Sequence, residues 1–148
     1  MYSKIKDDSG AEMVYGLSKS IYHLTKTIKK IKPDIILAGF DIGANLAAAI
    51  VGAHMNILVA HMEGGEITGT IDESIRHSIT KMSHIHFCST EDYKKRIIQL
   101  GESPDSVHNV GALGIENINK LDLLSKKDFE DSISFKLDNQ FSFLVTFH

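Results

Sequence analysis

The sequence predicts an α/β fold built on a parallel sheet. Three observations carry this. Apolar runs at 34–40, 57–62, 84–88 and 107–110 have the length of buried strands. Stretches of helical length and pattern, 43–54, 71–83 and 91–100, separate them. The order strand–helix therefore repeats three times and closes on a fourth strand, which implies a parallel sheet with helices on its faces.

Each element has its own reason. Val14, Leu17, Ile21, Leu24, Ile28 and Ile31 are spaced by alternating steps of three and four, an amphipathic helix that Pro33 ends. Lys26, Lys29, Lys30 and Lys32 make its last turns basic, which suits the negative helix end. The run at 34–40 reads as a buried strand ending at Asp41. Residues 43–54 are alanine-rich and helical, small enough to lie close on a sheet. Ser89 or Thr90 caps the helix at 91–100, and Gly101 stops it. After Gly111 the character changes. Residues 116–124 are polar and helical in pattern, Ser125 starts another helix, and 141–147 is a second strong strand run. The expected organisation is thus residues 1–111 in one domain, 112–140 as a connection, and 141–148 as the first strand of a second domain.

The chain is organised around residues 59–77, which read as a strand, a glycine loop and a capped helix. Gly64, Gly65 and Gly69 allow sharp turns and close approach to a ligand. Thr70 followed by Glu73 fits a capping box, and Ile71, Ile75, Ile79 and Met82 form an apolar stripe. Asp41 and Glu63 end successive parallel strands, so both face the crevice at the carboxyl edge of the sheet. Asp72 and Arg76, and Glu73 and His77, are spaced to meet on a helix face. Taken singly, these pairs have the spacing of ordinary surface ion pairs. With Glu63 they gather carboxylates, an arginine and a histidine around one loop.

Composition excludes other classes. The 148 residues are 43% hydrophobic and 24% charged, ordinary for one globular domain. A net charge of −3 without a basic block argues against nucleic acid as the main partner. No apolar run approaches a membrane span, and the first residues have no signal-peptide apolar region. One cysteine permits no internal disulfide, so the expected setting is the reducing cytoplasm. With Phe87 and Ile85 as neighbours, Cys88 reads as a small core residue on a strand rather than a nucleophile. His84 and His86 alternate on a strand without further ligands at metal-site spacing, so no metal is expected. No P-loop, Gly-x-Gly-x-x-Gly or Gly-x-Ser-x-Gly pattern is present.

The run His61-Met62-Glu63-Gly64-Gly65-Glu66, followed by Gly69-Thr70-Ile71-Asp72-Glu73-Ser74-Ile75-Arg76-His77, resembles the hydrolysing UDP-N-acetylglucosamine 2-epimerases of sialic-acid biosynthesis. The likeness runs from about Ile31 to His148. It implies two Rossmann-like domains in the glycosyltransferase-B arrangement, with the active site between them. It also implies anti elimination of UDP to a 2-acetamidoglucal, then addition of water with inversion at C2. This chemistry uses no cofactor but needs acid and base groups on both sides of the sugar. Asp41, Glu63 and Asp72 match the family's catalytic acids. Gly64, Gly65, Arg76, His77 and His148 match positions that hold the substrate or orient the acids. The implied partner is a UDP sugar.

The sequence departs from the family at one motif. Many members carry Gly-Asp-Arg-x-Glu around the first acid, where this chain has Phe40-Asp41-Ile42-Gly43-Ala44. Such a variant suits a different sugar, such as UDP-N,N′-diacetylbacillosamine for legionaminic acid. The resemblance places the chain in the second half of the first domain, so the isolated 148 residues are expected to be inactive. Unpaired backbone and apolar surface then predict a homo-oligomer. A non-catalytic α/β module and a nucleotide-sugar glycosyltransferase stand as the other readings.

Overall fold

The computed structural model describes residues 9–40, 42–137, 141 and 143–146, with Asn119 described by its backbone only. Asp41 and His148 lie outside the described residues. The chain divides into two compact units, Met1–Ile115 and Glu116–His148.

In the first unit, α1 (Gly10–Ile31) precedes β1 (Ile35–Gly39), α2 (Gly43–His54), β2 (Leu58–Met62), α3 (Ile71–Lys81), β3 (Ile85–Cys88), α4 (Glu91–Gln99), a short 3₁₀ turn (Pro104–Ser106) and β4 (Val107–Asn109). All strand pairs are parallel and the sheet order is β1-β2-β3-β4. The predicted parallel α/β sheet is present. Helix α1 starts one turn before Val14 because the Ser9 hydroxyl caps it, accepting from the Glu12 amide.

Sheet order equals chain order, so every crossover steps in the same direction. With one handedness throughout, all three crossover helices fall on one face. Ala38, Ala49, Val59 and Ile79 form one buried cluster on that face, and Cys88, Ile97 and Val107 a second. The alanines of α2 do what small residues should. A side chain at Gly52 would come within 2.4 Å of Val59 Cγ2, so the helix lies directly against β2. Cys88 is a buried core residue, as expected, and burial raises its thiol pKa.

Strand β1 corrects an expectation. It is not buried throughout: Ile35 and Leu37 are 47% and 58% exposed, and their register neighbour Leu58 is 49% exposed. These side chains point to the face that no crossover helix covers.

Helix α5 (Leu113–Lys120) runs across the division between the units, starting before residue 116 and stopping short of 124. Helix α6 (Lys126–Ile133) begins at Ser125, whose hydroxyl accepts from the Asp128 amide. Glu130 closes its end, accepting from the Leu137 amide at 3.0 Å with Lys136 at 3.4 Å. The run at 141–147 forms no strand at its described residues. Phe141, Phe143, Leu144 and Val145 are almost fully exposed. An apolar run becomes a strand only beside a hydrogen-bonding edge, and none of the described strands pairs with it.

None of the described helices is long and apolar enough to cross a membrane.

Candidate functional site

The carboxyl edge of the sheet carries an unusual pair of turns. Gly39 and Met62 are register partners that end β1 and β2. The next residues, Phe40 and Glu63, are both left-handed, with φ of 60° and 61°. This conformation costs a non-glycine residue roughly 1–2 kcal/mol and persists where surrounding bonds over-determine it. Here the Phe40 amide donates to the Met62 carbonyl at 3.3 Å, and the Glu63 amide to the Phe87 carbonyl at 2.9 Å. The left-handed turn also ends the two-residue alternation of the strand. His61 is fully buried under the helices, whereas Glu63 leaves that pattern half-buried at the edge.

The glycines after Glu63 are required by contact as well as by backbone freedom. A side-chain carbon on Gly64 would meet His61 Nδ1 at 3.0 Å. Gly65 has φ 85°, and a Cβ there would lie 2.5 Å from the Tyr93 carbonyl oxygen on α4. Both glycines are buried. Gly69, at φ 69°, has open space around it and serves the turn alone.

Charged side chains hold the backbone of this loop from three directions. Arg76, 3% exposed, donates to the Glu66 carbonyl at 3.0 Å and approaches the Glu66 carboxylate at 3.8 Å. Arg96 of α4 donates to the Gly65 carbonyl. Glu73 accepts from the amides of Thr68 and Gly69 at 3.1 and 3.0 Å. The Gly69 amide is the main reason its carboxyl pKa lies below the usual carboxylate value. The predicted capping box is thereby modified. Thr70 caps α3 through the Asp72 amide at 3.3 Å, but Glu73 reaches further back than a capping box would require.

Glu63, Gly64, Gly65 and Arg76 belong to one continuous structure, with Asp72 in the first turn of the helix that follows it. The exposed Asp72 carboxylate accepts from the Thr70 hydroxyl at 3.1 Å. His77 is placed elsewhere. It lines an open depression between α2 and α3 with Ile50, Ser78, Lys81 and Met82, and its buried Nδ1 has no hydrogen-bond partner. The expected Glu73–His77 pairing gives way to the loop amides.

Behind the loop is a buried histidine pair. His61 and His86 are register partners on the helix-covered face, each 0% exposed. The His61 ring meets the Thr80 hydroxyl at 3.1 Å, and that hydroxyl donates to the Arg76 carbonyl. Burial is the main cause that lowers the His61 pKa to about 4, reinforced by His86 and Arg76. Burial also lowers His86, against the pull of Glu102 at 3.4 Å. His84 lies just before β3 and accepts from the Val59 amide at 3.2 Å. Among the described residues, no three His, Cys, Asp or Glu side chains could hold a metal ion together.

Glu63 and Asp72 thus offer two carboxylates in different surroundings, one half-buried on a rigid turn and one in water at a helix start. Tyr93 and Arg96 were not visible as contributors from the sequence. They act on Gly65 from about thirty residues away, and no local spacing signals that contact.

The family profile described as UDP-N-acetylglucosamine 2-epimerase matches residues 2–148. A Campylobacter jejuni protein named GDP/UDP-N,N′-diacetylbacillosamine 2-epimerase (hydrolyzing) is 39% identical over 97% of this chain and 38% of its own length. The Escherichia coli polysialic acid biosynthesis protein P7 is 50% identical over 69% of this chain and 26% of its own length. The crystal structure of the Neisseria meningitidis UDP-GlcNAc 2-epimerase bound to UDP-GlcNAc aligns with a TM-score of 0.72 and 25% identity. That alignment covers 90% of this chain and 38% of the other. The chain therefore spans well under half the length of these relatives.

Proposed function

Because this chain belongs to the UDP-N-acetylglucosamine 2-epimerase family, we propose that the whole protein carrying it is a hydrolysing UDP-sugar 2-epimerase. The observation that carries this reading is the rigid Glu63 turn, with Asp72 at the start of the helix that follows. In this reading Asp41, Glu63 and Asp72 carry the proton transfers. One carboxylate removes the proton from C2 while the C1–oxygen bond to UDP breaks on the opposite face, leaving a 2-acetamidoglucal. Water then adds at C1 and a proton returns to C2 from the other side. Arg76 keeps the loop in place, and Gly64 and Gly65 let the sugar approach the backbone. His77 and His148 stand as substrate-positioning residues.

The sugar we favour is N,N′-diacetylbacillosamine. A relative that matches 97% of the chain carries that name, and Phe40 and Ile42 flank Asp41 with exposed apolar groups where many members have glycine and arginine. UDP-N-acetylglucosamine is the second reading, supported by the Neisseria structure. The sheet of the first unit would belong to the first of two Rossmann-like domains, with 112–140 as connection and 141–148 opening the second.

The test is NMR in deuterium oxide on the whole protein, with each UDP sugar supplied in turn. The expected result is free UDP and the 2-epimer of the diacetylbacillosamine sugar with deuterium at C2. Glu63→Gln and Asp72→Asn should each lower kcat by about 10²–10⁴ while the protein stays folded. Full activity in both variants would refute the site, and turnover of UDP-N-acetylglucosamine alone would change the sugar.

A further inference from the structure

We infer that Arg96 is a positioning residue for Glu63, acting through the backbone of the glycine loop; this rests on the epimerase reading of Glu63. Three observations converge on it.

The first is the use the guanidinium makes of its donors. Arg96 is half-buried on α4 and donates to the carbonyl of Gly65, two residues after Glu63. Its ring contact is with Tyr93, 5.7 Å from the guanidinium to the ring centroid. Among the described residues no carboxylate forms an ion pair with it. A charged donor to a neutral carbonyl is stronger than a backbone bond, and here it is aimed at one loop atom.

The second is the strain it opposes. Glu63 and Gly65 are both left-handed, so residues 63–65 make a turn that an ordinary chain would leave. Glu63 is fixed on its amide side by the Phe87 carbonyl at 2.9 Å. On the other side Gly65 is the first residue held, and α4 holds it twice, by the Arg96 bond and by contact with the Tyr93 backbone.

The third is the division of labour around the loop. Arg76 holds the Glu66 carbonyl, and Glu73 holds the amides of Thr68 and Gly69. Both belong to α3, which the loop itself leads into. Arg96 belongs to the next helix, so it supplies a side-chain tie between the loop and an element outside its own strand–loop–helix unit, beyond the backbone bond from Glu63 to β3. Losing it would leave Glu63 on the sheet but free to relax toward ordinary backbone angles, with its carboxylate displaced. A displacement near 1 Å at a reacting group costs about 10²-fold in rate.

The experiment compares Arg96→Met and Arg96→Lys with wild type and Glu63→Gln in the whole protein. Arg96→Met should lower kcat by about 10–100-fold with KM within threefold. Arg96→Lys should restore at least part of that loss, because an ammonium can still donate to the Gly65 carbonyl. Hydrogen exchange of a peptide covering 62–70 should accelerate in Arg96→Met and not in Arg96→Lys. Unchanged kcat in a folded Arg96→Met protein would overturn the inference. A rise in KM at constant kcat would also overturn it, since Arg96 would then be holding substrate directly. If Arg96→Met does not fold, Arg96→Gln takes its place: faster exchange at 62–70 with lowered kcat supports the inference, and wild-type exchange with wild-type kcat overturns it. Full activity of Glu63→Gln would instead remove the catalytic reading of Glu63 on which the inference rests, which separates the two failures.

Discussion

On one face of the sheet Ala38, Val59, His61, His86, Cys88 and Val107 are all buried. On the other, Ile35, Leu37 and Leu58 stay about half exposed, although they are larger and more apolar than several residues on the covered face. The difference is not in the side chains. It comes from the crossovers, which carry α2, α3 and α4 to the same side. The covered face can therefore admit two histidines and a cysteine, because helices seal it and Thr80 provides a partner. The open face contributes less hydrophobic stabilisation from better hydrophobes, since the free energy follows area removed from water.

This contrast can be broken by substitution, and the largest effect belongs to the sealed side. Ile79→Ala, at 0% exposure in the cluster with Val59, should cost about 3–4 kcal/mol in urea unfolding. A cost below 1 kcal/mol would mean that α3 does not seal the sheet.

Acid should come next. The folded state keeps His61 neutral down to about pH 4, whereas the unfolded chain protonates it below its ordinary value of 6.5. The unfolded state therefore binds more protons between those limits, and stability falls as pH drops through that window. The shift corresponds to a loss of about 3 kcal/mol, with His86 adding in the same direction. Unfolding midpoints measured from pH 7.5 to 4 should show the loss, and His61→Gln should flatten it. A pH-independent midpoint would contradict a buried neutral histidine.

The open face should respond least. Leu37→Ala should change stability by less than about 1 kcal/mol. The double variant Leu37→Lys, Leu58→Lys should keep the fold and reduce association of the isolated chain in light scattering, as an exposed apolar patch predicts. A large loss of stability in either variant would mean that something covers this face in solution.

Much of this architecture could be read from spacing. Pro33, the glycine stops and the Ser or Thr caps punctuate the chain, and the β–α alternation allows few topologies. What spacing could not supply was which face of each strand would be covered. Ile35 and Leu37 read as core because an apolar run records composition, while the direction of crossovers decides burial. The site was legible in the same uneven way. Glu63 and the glycines stood out as a strand end and a turn. The partners of Arg76 and Glu73 did not, because helix spacing proposes side-chain pairs and these residues bind loop backbone instead. His77 shows the limit of a motif read along a helix: consecutive residues Arg76 and His77 diverge by about 100° around the axis, so one meets the loop and the other faces α2. Arg96 left no local trace at all.

The identity of sheet order with chain order bears on how the protein comes into being. Among the described strands, β2, β3 and β4 each pair with the strand made just before, one helix earlier. During synthesis, an emerging β–α unit would find its docking edge already present and would never wait for a distant segment to arrive. Non-local strand pairing is what slows sheet proteins and exposes them to aggregation. Sequential addition keeps every closure as short as a single crossover. The buried histidines would then be sealed in stages, His61 when α3 closes over β2 and His86 once β3 is laid beside it.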